Sequence, residues 1–479
     1  MLFHSGSFLL FFVLVTILYY SVPRRYRNFI LLLASYVFYC SWEIKYSLLL
    51  IFVTVTSYFF ALKIEKCTTT KSKKKYLYGY IIIALGLLFF FKYFNFFNDN
   101  MRSLSSYFNI RYPISYLVIL LPIGISFFTF EAISYILDVY HQKRPPEKSF
   151  LSYALFISFF PKLLAGPIER STTLLPQLEM GKQFEYTNLT AGIKRVIWGL
   201  FKKVVIADRI STLIDGPFTD PTGYDAPTLL FVSYLFLFQI YCDFSGYTDI
   251  AIGTARILGF RLMENFDIPF ISKSILEFWR RWHISLSSWL RDNLYSPLLL
   301  AFTRKSFGVF ALVLSTFITF ILIGLWHGDR WNYVLFGFFQ FVAISYEILT
   351  VKKKKFLSKK LSPRFYNTIC MLIAFHYTVL SFIFIKVETP GNAFSAIKRI
   401  LNWNLSHTDF NTYTREVGLH PLQFSMALLI LFIFIDKPVT RIVKGASVIK
   451  LDTVLYAFLA ACVLLFGVFH HSKFIYFQF

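Results

Sequence analysis

The chain has 479 residues, of which 56% are hydrophobic and 20% aromatic, and a formal net charge of +23. Soluble domains are about 45–50% apolar, whereas this chain repeats uncharged runs near the length of about 20 residues that crosses a bilayer. That excludes a soluble fold. Because the runs are apolar on all sides, it also excludes a β-barrel, whose strands alternate polar and apolar.

In chain order, spans are predicted to start near Phe8, Ser47, Leu77, Ile114, Phe231, Val309, Trp331, Tyr366, Phe424 and Val454. On the same ruler the whole chain holds about eleven to thirteen. The expected fold is all-α: a polytopic transmembrane helical bundle with re-entrant and interfacial helices. It is read as a single integral-membrane domain over 1–479. N-terminal helices fill 1–110, a motif-bearing core 111–350, and C-terminal helices with an aromatic tail 351–479. The first segment lacks the basic leader of a signal peptide, since Arg24, Arg25 and Arg27 follow it. Excess Lys and Arg marks cytoplasmic loops, so this loop and the lysine runs at 63–75 and 352–360 lie inside and the N-terminus outside. The positive charge then reads as topology and attraction to anionic membrane lipids, not as nucleic-acid binding. Five scattered cysteines offer no disulfide framework or zinc signature. No nucleotide fingerprint is present, and the dispersed histidines predict no metal site.

Two stretches depart from simple spans. In 159–170, Pro161, Gly166 and Pro167 interrupt an apolar run and bring Lys162, Glu169 and Arg170 with them. Non-helical backbone survives at membrane depth only where protein or a water-filled cavity satisfies it; a broken or re-entrant segment is expected, with an interfacial loop as the alternative. Over 275–295, helical projection puts Trp279, Trp282, Leu286 and Trp289 on one face and Glu277, Arg280, Arg281, Ser287 and Arg291 on the other, with His283 at the boundary. That pattern suits an amphipathic helix in the membrane interface. Glu277 and Arg281, four apart, can pair. Arg280, Arg281 and Ser287 are candidates to line a polar substrate passage; the alternative is an anchor helix without chemistry.

Between these stretches, Asp243 and Asp249 lie on or near an apolar helix that begins near Leu229. A carboxylate there needs a partner, and Arg256, Arg261 or Arg280 could serve. Asp243 is also a passage candidate. Next, Trp326-His327-Gly328 ends the uncharged run 309–325. Ionisable groups at membrane depth are rare and usually functional. A histidine with its ordinary pKa near 6.5 can act as base and then acid. Trp326 and Asn332 are candidate donors to a developing oxyanion. Gly324 and Gly328 would let a neighbouring helix approach closely.

The order of these motifs resembles the membrane-bound O-acyltransferase family, in its bacterial alginate O-acetyltransferase-like branch. The matching residues are 160–168 (Phe-Pro-Lys-Leu-Leu-Ala-Gly-Pro-Ile), 243–253 (Asp-Phe-Ser-Gly-Tyr-Thr-Asp-Ile-Ala-Ile-Gly), Glu264-Asn265-Phe266, 277–287 (Glu-Phe-Trp-Arg-Arg-Trp-His-Ile-Ser-Leu-Ser) and Trp326-His327-Gly328 with Trp331-Asn332. One departure is local: a glycine turn common in the family after Leu-Tyr-x-Pro is replaced by the helix-capable Leu298-Leu299-Leu300-Ala301.

The resemblance implies that His327 is catalytic and that His283 takes part. It implies a central tunnel where a cytoplasmic acyl thioester such as acetyl-CoA, a substrate and not a bound cofactor, meets the histidine. The acyl group, acetyl by this resemblance, leaves on the far face for a cell-envelope or exported polysaccharide. An extracytoplasmic SGNH-type acetyltransferase partner and residence in the bacterial inner membrane follow. The closing Phe474-Ile475-Tyr476-Phe477-Gln478-Phe479 resembles a tyrosine motif that carries acyl groups in the teichoic acid D-alanylation system, which makes Tyr476 an acyl-carrier candidate. An aromatic belt at the interface is its plain alternative. Competing functions are D-alanyl transfer to teichoic acid, polysaccharide or lipid transport, and a non-catalytic scaffold.

Overall fold

The computed structural model describes residues 1–179, 181–403, 405, 409–445 and 452–469. Among these residues the regular structure is helical and contains no strand. Hydrocarbon offers backbone groups no water to bond, so a helix, which satisfies them internally, is the expected outcome. Among the described residues six helices are long and apolar enough to cross a membrane: Ile44–Lys66, Thr70–Tyr107, Ala226–Ile257, Val309–His327, Trp331–Leu349 and Pro363–Lys386. A seventh arises if Phe410–Val417 and Leu419–Val443, bent by 94°, form one span. Shorter apolar helices run over Gly6–Ser21 and Thr453–Phe466.

This is fewer than the count of apolar runs, because several runs are cut into shorter pieces. The helix expected from Ile114 is one difference. Residues 110–122 are irregular, with Val118 99% exposed, and the helix starts only at Ile125. Pro122 drives Leu121 out of the helical region, which separates 114–121 from the helix that starts at Ile125. The Leu298–Ala301 departure is helical, inside Ser296–Arg304.

The chain divides into two compact units, one of residues 1–193 and 251–263, the other of 194–250 and 264–479. In the first, the interruption at 159–170 is present. Phe150–Ser158 ends at Phe159, a short helix Phe160–Leu163 follows, and irregular backbone leads to Ser171. Lys162 and Glu169 are buried there. Lys162 Nζ pairs with Glu131 Oε2 from the Ile125–Tyr140 helix. The other Glu131 oxygen accepts the Glu169 N–H at 2.9 Å. The Glu169 carboxylate in turn accepts from the Met263 N–H and from Thr173 Oγ1. Burial raises the Glu169 pKa to about 7; the Met263 N–H opposes the rise and nearby Glu131 adds to it.

In the second unit, the Phe201–Ala207 turn is a π-helix. Such wide turns, with i→i+5 bonding, are uncommon and cluster at functional sites. Beside it, Gly199 and Gly246 bring two backbones together: a Cβ on either would lie 2.6–2.7 Å from the other's carbonyl oxygen.

Candidate active site

The Val309–His327 helix stops at its histidine because Gly328 is fully extended, and Trp331–Leu349 starts three residues later. The two helices form a tight hairpin. A Cβ on Gly324 would sit 2.2 Å from the Tyr333 carbonyl oxygen, and one on Gly337 2.2 Å from that of Phe320. A Cβ on Gly328 would strike the Tyr333 ring at 2.1 Å. The close approach anticipated from Gly324 and Gly328 is therefore real, and Gly337 completes it. His327 is buried, with its ring 5.1 Å from that of Trp326 and 5.7 Å from that of Phe336. Asn332 Nδ2 donates to the Val387 carbonyl at 2.6 Å, so this amide anchors the hairpin to the end of the Pro363–Lys386 helix.

The 275–295 stretch is not one amphipathic helix. It divides into Ile275–Arg281 and Ile284–Leu290, followed by a π turn at Arg291–Tyr295. The break falls on His283, whose φ of 44° and ψ of 54° are left-handed, a conformation costing a non-glycine residue of order 1–3 kcal/mol unless its surroundings impose it. They do. The Ile284 N–H donates to the Asn265 carbonyl at 2.9 Å, and the Asp267 N–H to that of Arg281 at 2.9 Å. A helical wheel assumes unbroken i→i+4 bonding, which this pairing replaces.

The tryptophans expected in lipid headgroups are instead buried in protein: Trp279, Trp282 and Trp289 are 4%, 1% and 7% exposed. Trp279 Nε1 donates to Gln340 Oε1 at 3.1 Å, and Gln340 Nε2 to Ser381 Oγ at 2.9 Å. Arg281 and Ser287 serve the turn itself. Arg281 pairs with Glu277 at 3.1 Å, as their spacing suggested, and with Asp267 at 3.0 Å. Ser287 Oγ donates to the Trp282 carbonyl at 3.2 Å. Arg280 is exposed.

The turn brings His283 against Trp326, the neighbour of His327. Its ring is fully buried, 4.7 Å from Phe244 and 5.5 Å from Trp326. Trp326 thus neighbours both imidazoles. Burial, reinforced by His327, pushes the His283 pKa well below the usual imidazole range, so the ring is neutral. His283 Nδ1 lies 3.1 Å from Asn265 Oδ1.

Asn265 also lines a polar cavity with Arg195, Lys202, Ser245, Asp249 and Glu264. The cations beside the two aspartates come from upstream, where the sequence reading looked downstream. Arg195 binds Asp249 at 2.8 Å and Glu264 at 2.6 Å. Lys202 pairs with Asp249 and donates to Ser245 Oγ at 3.0 Å. Lys203 bridges Asp243 at 2.6 Å and Asp208 at 2.8 Å. The π turn lets these consecutive lysines both face inward. Asp243 is therefore an ion-pair partner held by Lys203. Sequence reading passed over Lys202 and Lys203, although two charges inside the apolar stretch 196–207 were a visible signal, and gave Asn265 no role. Tyr476 lies outside the described residues.

The profile described as "MBOAT, membrane-bound O-acyltransferase family" matches residues 38–387. The chain is 37% identical over 441 residues to the probable alginate O-acetylase AlgI of Pseudomonas aeruginosa, covering 91% of this chain and 81% of that one. It is 31% identical over 437 residues to the peptidoglycan O-acetyltransferase of Helicobacter pylori, covering 84% and 80%. It is 29% identical over 265 residues to the teichoic acid D-alanyltransferase of Bacillus subtilis, covering 54% and 67%. By the profile match and these identities, and with its several membrane-length helices, the chain belongs to the membrane-bound O-acyltransferase family and is a multi-pass membrane O-acyltransferase.

Proposed function

We propose that this protein transfers an acetyl group from a cytoplasmic thioester such as acetyl-CoA across the bacterial inner membrane for O-acetylation of a cell-envelope or exported polysaccharide, with His327 as general base. The observation that carries the reading is the meeting of two buried imidazoles about Trp326. A neutral imidazole takes the hydroxyl proton as the oxygen attacks the thioester carbonyl. The thiolate then leaves and recovers a proton from the imidazolium. General-base help of this kind is worth about 10²–10⁴-fold. The relatives that cover most of the chain are named for O-acetylation of alginate and peptidoglycan, and the D-alanyltransferase covers little more than half of it, which favours acetyl over D-alanyl.

Under this reading a central tunnel brings the thioester to His327. Tyr476 is the first acceptor, since a phenyl ester stays activated and can pass its acyl group to a separate extracytoplasmic SGNH-type transferase. The basic segments face anionic lipids on the cytoplasmic side.

Proteoliposomes given acetyl-CoA provide the test, with release of free thiol and peptide mass as readouts. His327→Ala is expected to lose thiol release by about 10²-fold or more while accumulating normally in the membrane. Wild-type rates in that variant would remove His327 from the chemistry. An acetyl adduct is expected on Tyr476. If none forms and Tyr476→Phe retains activity, the carrier role is wrong.

A further inference from the structure

We infer that Asn265 is a positioning residue that fixes the tautomer of His283, so that Nδ1 carries the hydrogen and Nε2 the lone pair. The inference deepens the acyltransferase reading above and rests on it for its kinetic consequences, though not for the tautomer itself.

Asn265 Oδ1 receives three contacts: the Ser285 backbone N–H at 3.2 Å, Ser285 Oγ at 2.9 Å and His283 Nδ1 at 3.1 Å. A backbone N–H can only donate. The amide atom facing it must therefore be the oxygen, because a flipped amide would set NH₂ against N–H. That removes the usual ambiguity of asparagine orientation. An oxygen in that place accepts only, so Nδ1 of His283 is the donor. A neutral imidazole has a single ring hydrogen, which leaves the lone pair on Nε2.

The same asparagine takes the Ile284 N–H on its main-chain carbonyl at 2.9 Å. One residue thereby imposes both the left-handed turn and the ring's hydrogen. Asn265 is itself 1% exposed. Its amide, unlike a carboxylate, brings no charge to Nδ1 and leaves the ring neutral until Nε2 takes up a proton.

The tautomer is measurable without turnover. ¹⁵N-histidine NMR of the full-length protein, with His283→Ala used to assign the resonance, should show Nδ1 protonated and Nε2 bare. The reverse pattern overturns the inference. Kinetic tests use acetyl-CoA thiol release in proteoliposomes. Asn265→Asp keeps the acceptor and adds a negative charge beside Nδ1. The pH titration of the His283 ¹⁵N resonances should move up by about one unit or more. Asn265→Leu should lower kcat by about 10²-fold, leave KM within about twofold, and cost nothing further in a His283→Ala background. Effects that multiply, or an Asn265→Asp titration identical to wild type, contradict the assignment. If Asn265→Leu fails to accumulate, the Asp variant and the NMR pattern carry the decision. His327→Ala separates the two levels. Full activity there defeats the general-base reading, whereas an inactive His327→Ala beside multiplying Asn265 effects defeats this inference alone.

Discussion

The interruptions at 159–170 and at His283 are filled in opposite ways. The one at 159–170 is packed with ions: Lys162 against Glu131, with Glu169 beside them. At the one on His283 the imidazole is held by neutral hydrogen bonding to the side-chain oxygen of a single asparagine, and the Arg281 ion pairs to Glu277 and Asp267 lie before the break. A buried ion pair fixes a segment, because removing either partner strands a charge. A neutral cradle instead leaves an imidazole uncharged and able to take a proton. The first break reads as scaffold and the second as chemistry.

That contrast can be broken most forcefully at Lys162. Lys162→Ala leaves Glu131 buried without its cation and should destabilise the protein by about 3–5 kcal/mol, read as lost accumulation and a lower unfolding temperature. A variant as stable as wild type would deny the scaffold role. Glu169 sharpens the contrast through pH. Burial raises its folded pKa to about 7 against an ordinary 4.5. A raised acid pKa favours folding at low pH, and that contribution is lost as pH rises from about 4.5 through about 7, amounting to of order 3 kcal/mol. Thermal unfolding across this window should show the loss in wild type and not in Glu169→Gln; equal slopes in the two would refute it. The smallest effect belongs to the neutral cradle. Ser285→Ala removes one hydroxyl bond to Asn265 Oδ1 and should cost about 1 kcal/mol, with Nδ1 of His283 still protonated by NMR. A tautomer change there would mean that the serine, not the asparagine, sets the ring.

The membrane class, the broken 159–170 segment and the position of His327 were legible because each is a local property: an uncharged run, a proline–glycine cluster, a polar residue closing an apolar stretch. The 275–295 stretch misled because its periodicity is genuine on both sides of His283, while the interruption is imposed by Asn265, eighteen residues earlier. The partners of Asp243 and Asp249 were missed for a similar reason. Lys202 and Lys203 face them from a π turn beside which two glycines let helices touch. Chain separation hides such pairings; composition does not.

The contact between the two strokes of the histidine hairpin has a practical consequence. With main chain lying directly on main chain at Gly324 and Gly337, no side-chain layer separates the pair there. Phe317, Leu322 and Phe338 are exposed on the outside of these helices, away from that backbone contact. Detergent-stabilising or cross-linking substitutions can be placed on that outer surface while the imidazole keeps its address.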